Sequence, residues 1–334
     1  MAGLNVAAGR LTSGLGVIVL ENSHLCVTVI PEAGARIWQI AYKPLNADLL
    51  WHNPKVEPVV HSLNTVYDDN WSGGWDDLFP NDEAGRLAGL EVPDHGELWT
   101  GEWTAATQHS EDAVGVNLSY RTPVTQFFAE RSLRLREDSS VLEVGYRLTN
   151  ESSRTLPFLW KLHPAFAISP QHRIDFPQMI AVREMEFQGT LDSAPPVFNW
   201  PYVKTSGGIM DLRNIPDLSS RALHFFYGTG YSEGWCGVTN RETRLAAALR
   251  FDPNVFSSCW LFASHGGWND LNVAVLEPAT GYPFRIQSMI DAGRARTLAP
   301  GESLETTVLF AVQEDLRSIG AVREDGRILP GDEN

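Results

Sequence analysis

Short runs in which apolar and polar residues alternate recur along most of the chain, and no segment sustains a helical period. Residues 17–20, 25–30 and 36–41 read as strands of an antiparallel meander. The turn-forming stretches Glu21-Asn22-Ser23 and Pro31-Glu32-Ala33-Gly34 separate them. Further strands are predicted at 113–120, 127–136 and 141–148, the last two joined as a hairpin through Glu137-Asp138-Ser139-Ser140. Within 131–136 the alternation sets the arginines and Ser132 on differing faces. Residues 156–163, 222–227, 234–239, 245–251, 257–263, 273–276 and 304–313 complete the set. Two long stretches break the pattern. Residues 51–103 gather Asp, Asn, Gly, Pro and Trp, and 170–220 are rich in proline; both read as loop insertions, and irregular segments of that length are usually functional. The predicted fold is all-β: one large antiparallel β-sandwich domain over residues 1–334, with its core at about 15–313. Residues 1–15 read as a poorly ordered lead-in and 320–334 as a solvated tail.

One stretch concentrates chemistry: Trp160-Lys161-Leu162-His163-Pro164-Ala165-Phe166. A proline cannot donate to a central ladder, so the strand is expected to stop pairing near Pro164. By alternation Phe158, Trp160 and Leu162 share one face, while Leu159, Lys161 and His163 share the other. A cation and an imidazole on one face predict a polar surface. A second segment has the same design, a short strand at 272–276 ending in Glu277-Pro278.

Composition narrows the function. The chain has 334 residues, is 43% hydrophobic and contains 11 tryptophans, enough for a folded core. Its net charge of -15 argues against a phosphate backbone as partner, because nucleic-acid affinity depends on basic patches. Three widely spaced cysteines, Cys26, Cys236 and Cys259, support neither a disulfide framework nor a thiolate zinc site. No leader-like or membrane-length apolar run is present, so a cytoplasmic protein away from membranes is expected. The sequence sets no oligomeric state.

The candidate chemistry then falls to histidines and carboxylates. Among nine histidines, His95 and His265 each precede glycine, and His163 ends a strand. No H-x-H or H-x-x-x-H pair suggests zinc, and the acidic loop 68–77 lacks EF-hand spacing, so no metal is expected. There is no nucleophile elbow, dinucleotide fingerprint or phosphate-binding loop, and no cofactor is expected. His163 and Glu277 remain as a pair that could move protons on a hydroxylated small molecule, an imidazole titrating near neutrality beside a tunable carboxylate.

Several segments together resemble the aldose 1-epimerase (galactose mutarotase-like) superfamily. They are Leu162-His163-Pro164-Ala165-Phe166, Asp94-His95-Gly96, Leu276-Glu277-Pro278-Ala279-Thr280-Gly281, Gly34-Ala35-Arg36-Ile37 and Leu298-Ala299-Pro300-Gly301-Glu302-Ser303, in order across residues 15–313. The resemblance implies a β-supersandwich and cofactor-independent interconversion of sugar anomers. It makes Glu277 the base on the anomeric hydroxyl, His163 the acid on the ring oxygen and His95 an assistant at the polarised oxygen. Substrate contacts are expected from Arg36, Trp75, Asp76 and Lys161. Trp75 and Asp76 stand where the family often has an arginine, and Asp211 or Asp252 would replace its sugar-binding aspartate. Those departures keep two other readings open: a carbohydrate-binding protein without catalysis, and another sugar-modifying enzyme on the same fold. For hydrolysis, which uses two carboxyl groups, only Glu277 stands out, with Asp76 or Asp252 as partners.

Overall fold

In the strand Phe127–Arg136, Phe127, Ala129, Leu133 and Leu135 turn inward and are buried, while Ser132 and Arg136 face solvent. That alternation is what a half-buried antiparallel strand requires. One inward position is not apolar: Arg131 is buried among them. Ser132 therefore shares its face with Arg134 and Arg136, and Arg131 stands apart.

The computed structural model describes residues 3–187 and 189–332. It divides into two compact units, Met1–Pro164 with Thr280–Val308, and Ala165–Ala279 with Leu309–Asn334. Both are built from antiparallel sheets, and the described helices are short, Tyr67–Asn70 and Ile286–Asp291 being the α-helical ones. None is long and apolar enough to cross a membrane.

In the first unit one sheet runs through Asn5–Arg10, Gly16–Glu21, Leu25–Ile30, Arg36–Tyr42 and Trp75–Leu78, which pairs with residues 161–164. The other carries Thr104–His109, Ala113–Arg121, Phe127–Arg136 and Val141–Asn150. Buried side chains join the two layers: Arg131 Nη1 meets Asp77 Oδ2 at 2.8 Å, and the rings of Tyr146 and Trp160 lie 5.0 Å apart. In the second unit Asn272–Ala279, Ser258–His265, Ala222–Thr229, Ile180–Arg183 and Val197–Asn199 form one sheet. His172–Asp175, Trp235–Asn240, Leu245–Arg250 and residues 309–313 form the other. Phe166 stacked on Phe310 at 6.0 Å packs within this unit.

Several expectations change. The lead-in contains the strand Asn5–Arg10, paired along its length with Gly16–Glu21. The tail is not wholly solvated. Ile319–Val322 and Ile328–Pro330 form a hairpin whose Ile319, Val322 and Ile328 are buried, and Ile319 N donates to Asp175 Oδ2 at 3.0 Å. Both loop insertions contain strands, and the first supplies Trp75–Leu78 to the interior of a sheet. Neither proline ends its strand: Lys161–Phe166 runs through Pro164 and Asn272–Ala279 through Pro278. Pro164 takes the last place in the ladder with Trp75–Leu78, where a missing N–H costs least.

Candidate functional site

Several ionisable side chains of the first unit gather around Tyr67. The chain enters through the single helical turn Tyr67–Asn70 and then bends at Gly73, whose φ is +93°. A Cβ there would meet Trp51 O at 2.3 Å, so only glycine lets the backbone approach this closely. The bend delivers Trp75–Leu78 alongside residues 161–164, with Asp76 directly opposite His163. Directly opposed residues project to the same side of a sheet.

Tyr67 Oη donates to Asp76 Oδ2 at 2.8 Å and lies 3.2 Å from His163 Nδ1. Asp76 is also held by Arg36, whose Nε lies 3.0 Å from Oδ1. Arg36 Nη1 in turn donates to Ser72 Oγ and Gly73 O, each at 2.7 Å. The other side of Tyr67 carries the second histidine. His95 stacks on the phenol ring at 4.2 Å with 13° between the planes. Its Nδ1 lies 3.0 Å from Asp94 Oδ1 and its Nε2 3.1 Å from Asp82 Oδ1. Asp82 Oδ2 accepts from Lys161 Nζ at 2.7 Å, and Asp94 Oδ2 accepts from Tyr67 N at 2.7 Å. Trp71 presents an edge-on ring 5.2 Å from His163. Lys161 and His163 were expected on a polar surface. Both are buried instead, because Asp82 supplies the partner that a buried ammonium needs and Tyr67 meets the imidazole.

The two histidines are driven apart electrostatically. Burial first, then the positive charges of Lys161, His95 and Arg36, hold the His163 pKa well below its ordinary value. Burial opposes charge on His95 too, but the Asp82 and Asp94 carboxylates overcome it, against Lys161, and its pKa is raised. His163 is therefore neutral near pH 7, whereas the two carboxylates shift His95 toward its imidazolium form. Burial also pushes Asp76 upward, with Arg36 and the Tyr67 hydrogen bond pulling back.

No family model matches the sequence. An 80-residue stretch is 36% identical to the uncharacterized protein YphB of Escherichia coli; it spans 24% of this chain and about a quarter, 27%, of that relative. Solved structures are similar over far more of the chain. A candidate aldose 1-epimerase from Klebsiella pneumoniae aligns with a TM-score of 0.74 at 14% identity, over 94% of this chain and 85% of its own. A galactose mutarotase-like protein from Clostridium acetobutylicum aligns with a TM-score of 0.71 at 14% identity, over 94% of this chain and 99% of its own. The chain has the galactose mutarotase-like fold.

Within this mutarotase-like fold, five of the predicted site residues converge in the first unit: Arg36, Asp76, His95, Lys161 and His163. Trp75 is fully buried beside Asp76 in the same strand. The other three lie in the second unit. Glu277 is buried in the strand Asn272–Ala279, opposite Trp260. Asp211 is gripped by Arg213, with Nε to Oδ1 at 2.8 Å and Nη2 to Oδ2 at 2.7 Å, at the end of the hairpin strand Gly208–Asp211. Asp252 is exposed and accepts from Asn254 N at 2.8 Å within a turn. Among the described residues, no group of three or more His, Cys, Asp or Glu is placed to hold a metal ion. Tyr67 and Asp82 escaped the sequence reading. Tyr67 adjoins the acidic run from Asp68 and Asp82 follows Phe79-Pro80-Asn81, and neither carries a spacing that marks it.

Proposed function

We propose that the protein is a cofactor-independent aldose 1-epimerase acting on a small carbohydrate. Glu277 takes the proton of the anomeric hydroxyl while His163 gives one to the ring oxygen. The C1–O5 bond breaks, rotation about C1–C2 exposes the other face of the carbonyl, and ring closure returns both protons. His95, with both ring nitrogens on carboxylates, serves as a fixed positive charge rather than a proton donor. The observation that carries the reading is the opposite biasing of His163 and His95 around Tyr67, since paired groups with divergent pKa values mark acid–base sites.

Polarimetry and NMR exchange across a panel of aldoses test it. His163→Gln and Glu277→Gln should each slow anomer exchange by about 10²- to 10⁴-fold, the usual contribution of one positioned acid or base. Wild-type rates in both variants would end the proposal. A binding-only reading has one observation in its favour: burial makes the charged, proton-donating form of His163 scarce. Calorimetric sugar binding with no acceleration of exchange would select it.

A further inference from the structure

A phenol has one proton to donate, and both Asp76 and His163 face the Tyr67 hydroxyl. Its Oη lies 2.8 Å from Asp76 Oδ2 and 3.2 Å from His163 Nδ1. An ionised carboxylate can only accept. Burial raises the Asp76 pKa, and Arg36 Nε, 3.0 Å from Oδ1, opposes it and favours the ionised state. The phenolic proton therefore belongs to Asp76, and Tyr67 turns a lone pair toward Nδ1. Only a protonated Nδ1 makes that approach attractive, and the bond at one ring nitrogen decides the state of the other.

We infer that Tyr67 is a positioning residue: it holds neutral His163 as the Nδ1–H tautomer and leaves Nε2 as the one nitrogen that exchanges protons. Among the described residues Nε2 has no hydrogen-bond partner. The consequence for catalysis rests on the mutarotase reading above, while the tautomer itself does not. When His163 is protonated, the Nε2–H proton passes to the ring oxygen and the bonding pair stays on Nε2. The neutral ring that remains is the tautomer Tyr67 already supports, so proton transfer needs no ring flip. Transfer in the opposite direction uses the same nitrogen.

The alternative network is definite. If Asp76 held a proton, it would donate to Tyr67, the phenol would donate to Nδ1, and Nε2 would carry the hydrogen. Asp76→Asn is designed to create that arrangement. The carboxamide keeps its oxygen toward Arg36 and turns its NH₂ to Tyr67, which must then donate to His163.

The test is ¹⁵N NMR of the histidine-labelled full chain above pH 7 without sugar, with His163 assigned by its loss in His163→Gln. The expected result is an unprotonated Nε2 in the wild type, reversal to Nε2–H in Asp76→Asn, and a mixture of tautomers in Tyr67→Phe. Nε2–H in the wild type overturns the inference, as does an unchanged tautomer in both folded variants. No substrate is involved, so this outcome is independent of whether the sugar assay succeeds. With an active sugar in hand, Tyr67→Phe should lower kcat about 10- to 100-fold with little change in KM, because Tyr67 acts through His163.

Discussion

Asp76 and His163 are direct cross-strand partners, and Tyr67 reaches both from a different segment of the chain. The pairing explains how a buried carboxylate and a buried imidazole coexist without sharing one proton. Asp76 is answered by Arg36, while His163 is left neutral and meets the phenol at Nδ1. Lys161 and His95, whose imidazolium form the carboxylates favour, converge on Asp82. Two chains of side chains thus meet at Tyr67. One fixes the orientation of His163, and the other fixes the charge beside it.

Asp82 is the common partner of two cations, so its loss should cost more than the loss of either one. Asp82→Asn takes a buried carboxylate away from both the Lys161 ammonium and the His95 ring, and about 3–5 kcal/mol of stability should go with it. Lys161→Met should fall below that range, because His95 still faces Asp82. Urea unfolding of the two variants checks the ranking. A Lys161→Met variant less stable than Asp82→Asn would contradict it.

Gly96 follows His95 with φ +76°, and a Cβ there would stand 2.1 Å from Phe79 O. Gly96→Ala should therefore cost more than the roughly 1–2 kcal/mol of left-handed strain alone. Gly89 is the control: its φ is +85° and nothing lies within 4 Å of its added Cβ. Thermal melts should show Gly89→Ala losing the strain alone and Gly96→Ala losing clearly more. Equal losses would mean that the Phe79 carbonyl yields freely.

Strand alternation was legible wherever one face is solvated, as in Phe127–Arg136, and it carried the fold class. It failed where both faces are covered. In Lys161–Phe166 every residue is buried, so period two says nothing about which side chains meet water. The strand Trp75–Leu78 was hidden for a related reason: Asp76 and Asp77 read as loop, and buried arginines and tyrosine hydroxyls make them tolerable in a sheet. His95 and His163 were visible through short motifs. Tyr67 and Asp82 were not, since their roles come from contacts across 96 and 79 positions of sequence.

His224 and His265 give the second unit a dependence on acid. Burial first, then His265, lowers the pKa of His224 to about 3; burial, opposed by the Asn272 side chain, lowers that of His265 to about 4. Above about pH 6.5 both are neutral in either state and contribute no slope. Below that, the unfolded chain binds protons that the folded chain refuses. Stability should fall with falling pH by up to about 1.4 kcal/mol per unit for each histidine, until its folded pKa is reached. His224→Phe should flatten the curve between about pH 6 and 4. His95 acts with the opposite sign, since its pKa is raised: its contribution is complete below the unfolded value and is lost as pH rises through the folded one. A slope unchanged by His224→Phe would exclude that residue as a source.

Arg131 and Asp77 place an ion pair between the sheets of the first unit, with side chains 0% and 2% exposed. Tyr146 Oη adds a hydrogen bond to Asp77 at 3.3 Å, and Arg131 Nη2 donates to Ala35 O. Removing one partner leaves the other charged and dry, so Asp77→Ala should cost about 3–5 kcal/mol. Removing both tests a different quantity. Well-packed apolar residues often replace a buried pair with little loss, because they need no desolvation. Arg131→Met with Asp77→Leu should therefore recover most of what Asp77→Ala loses. Denaturant unfolding of the single and double variants gives the coupling between the positions, and that coupling should exceed about 1 kcal/mol for residues in one network. Strict additivity would show that the pair does not hold the two layers together and that packing around Tyr146 and Trp160 does.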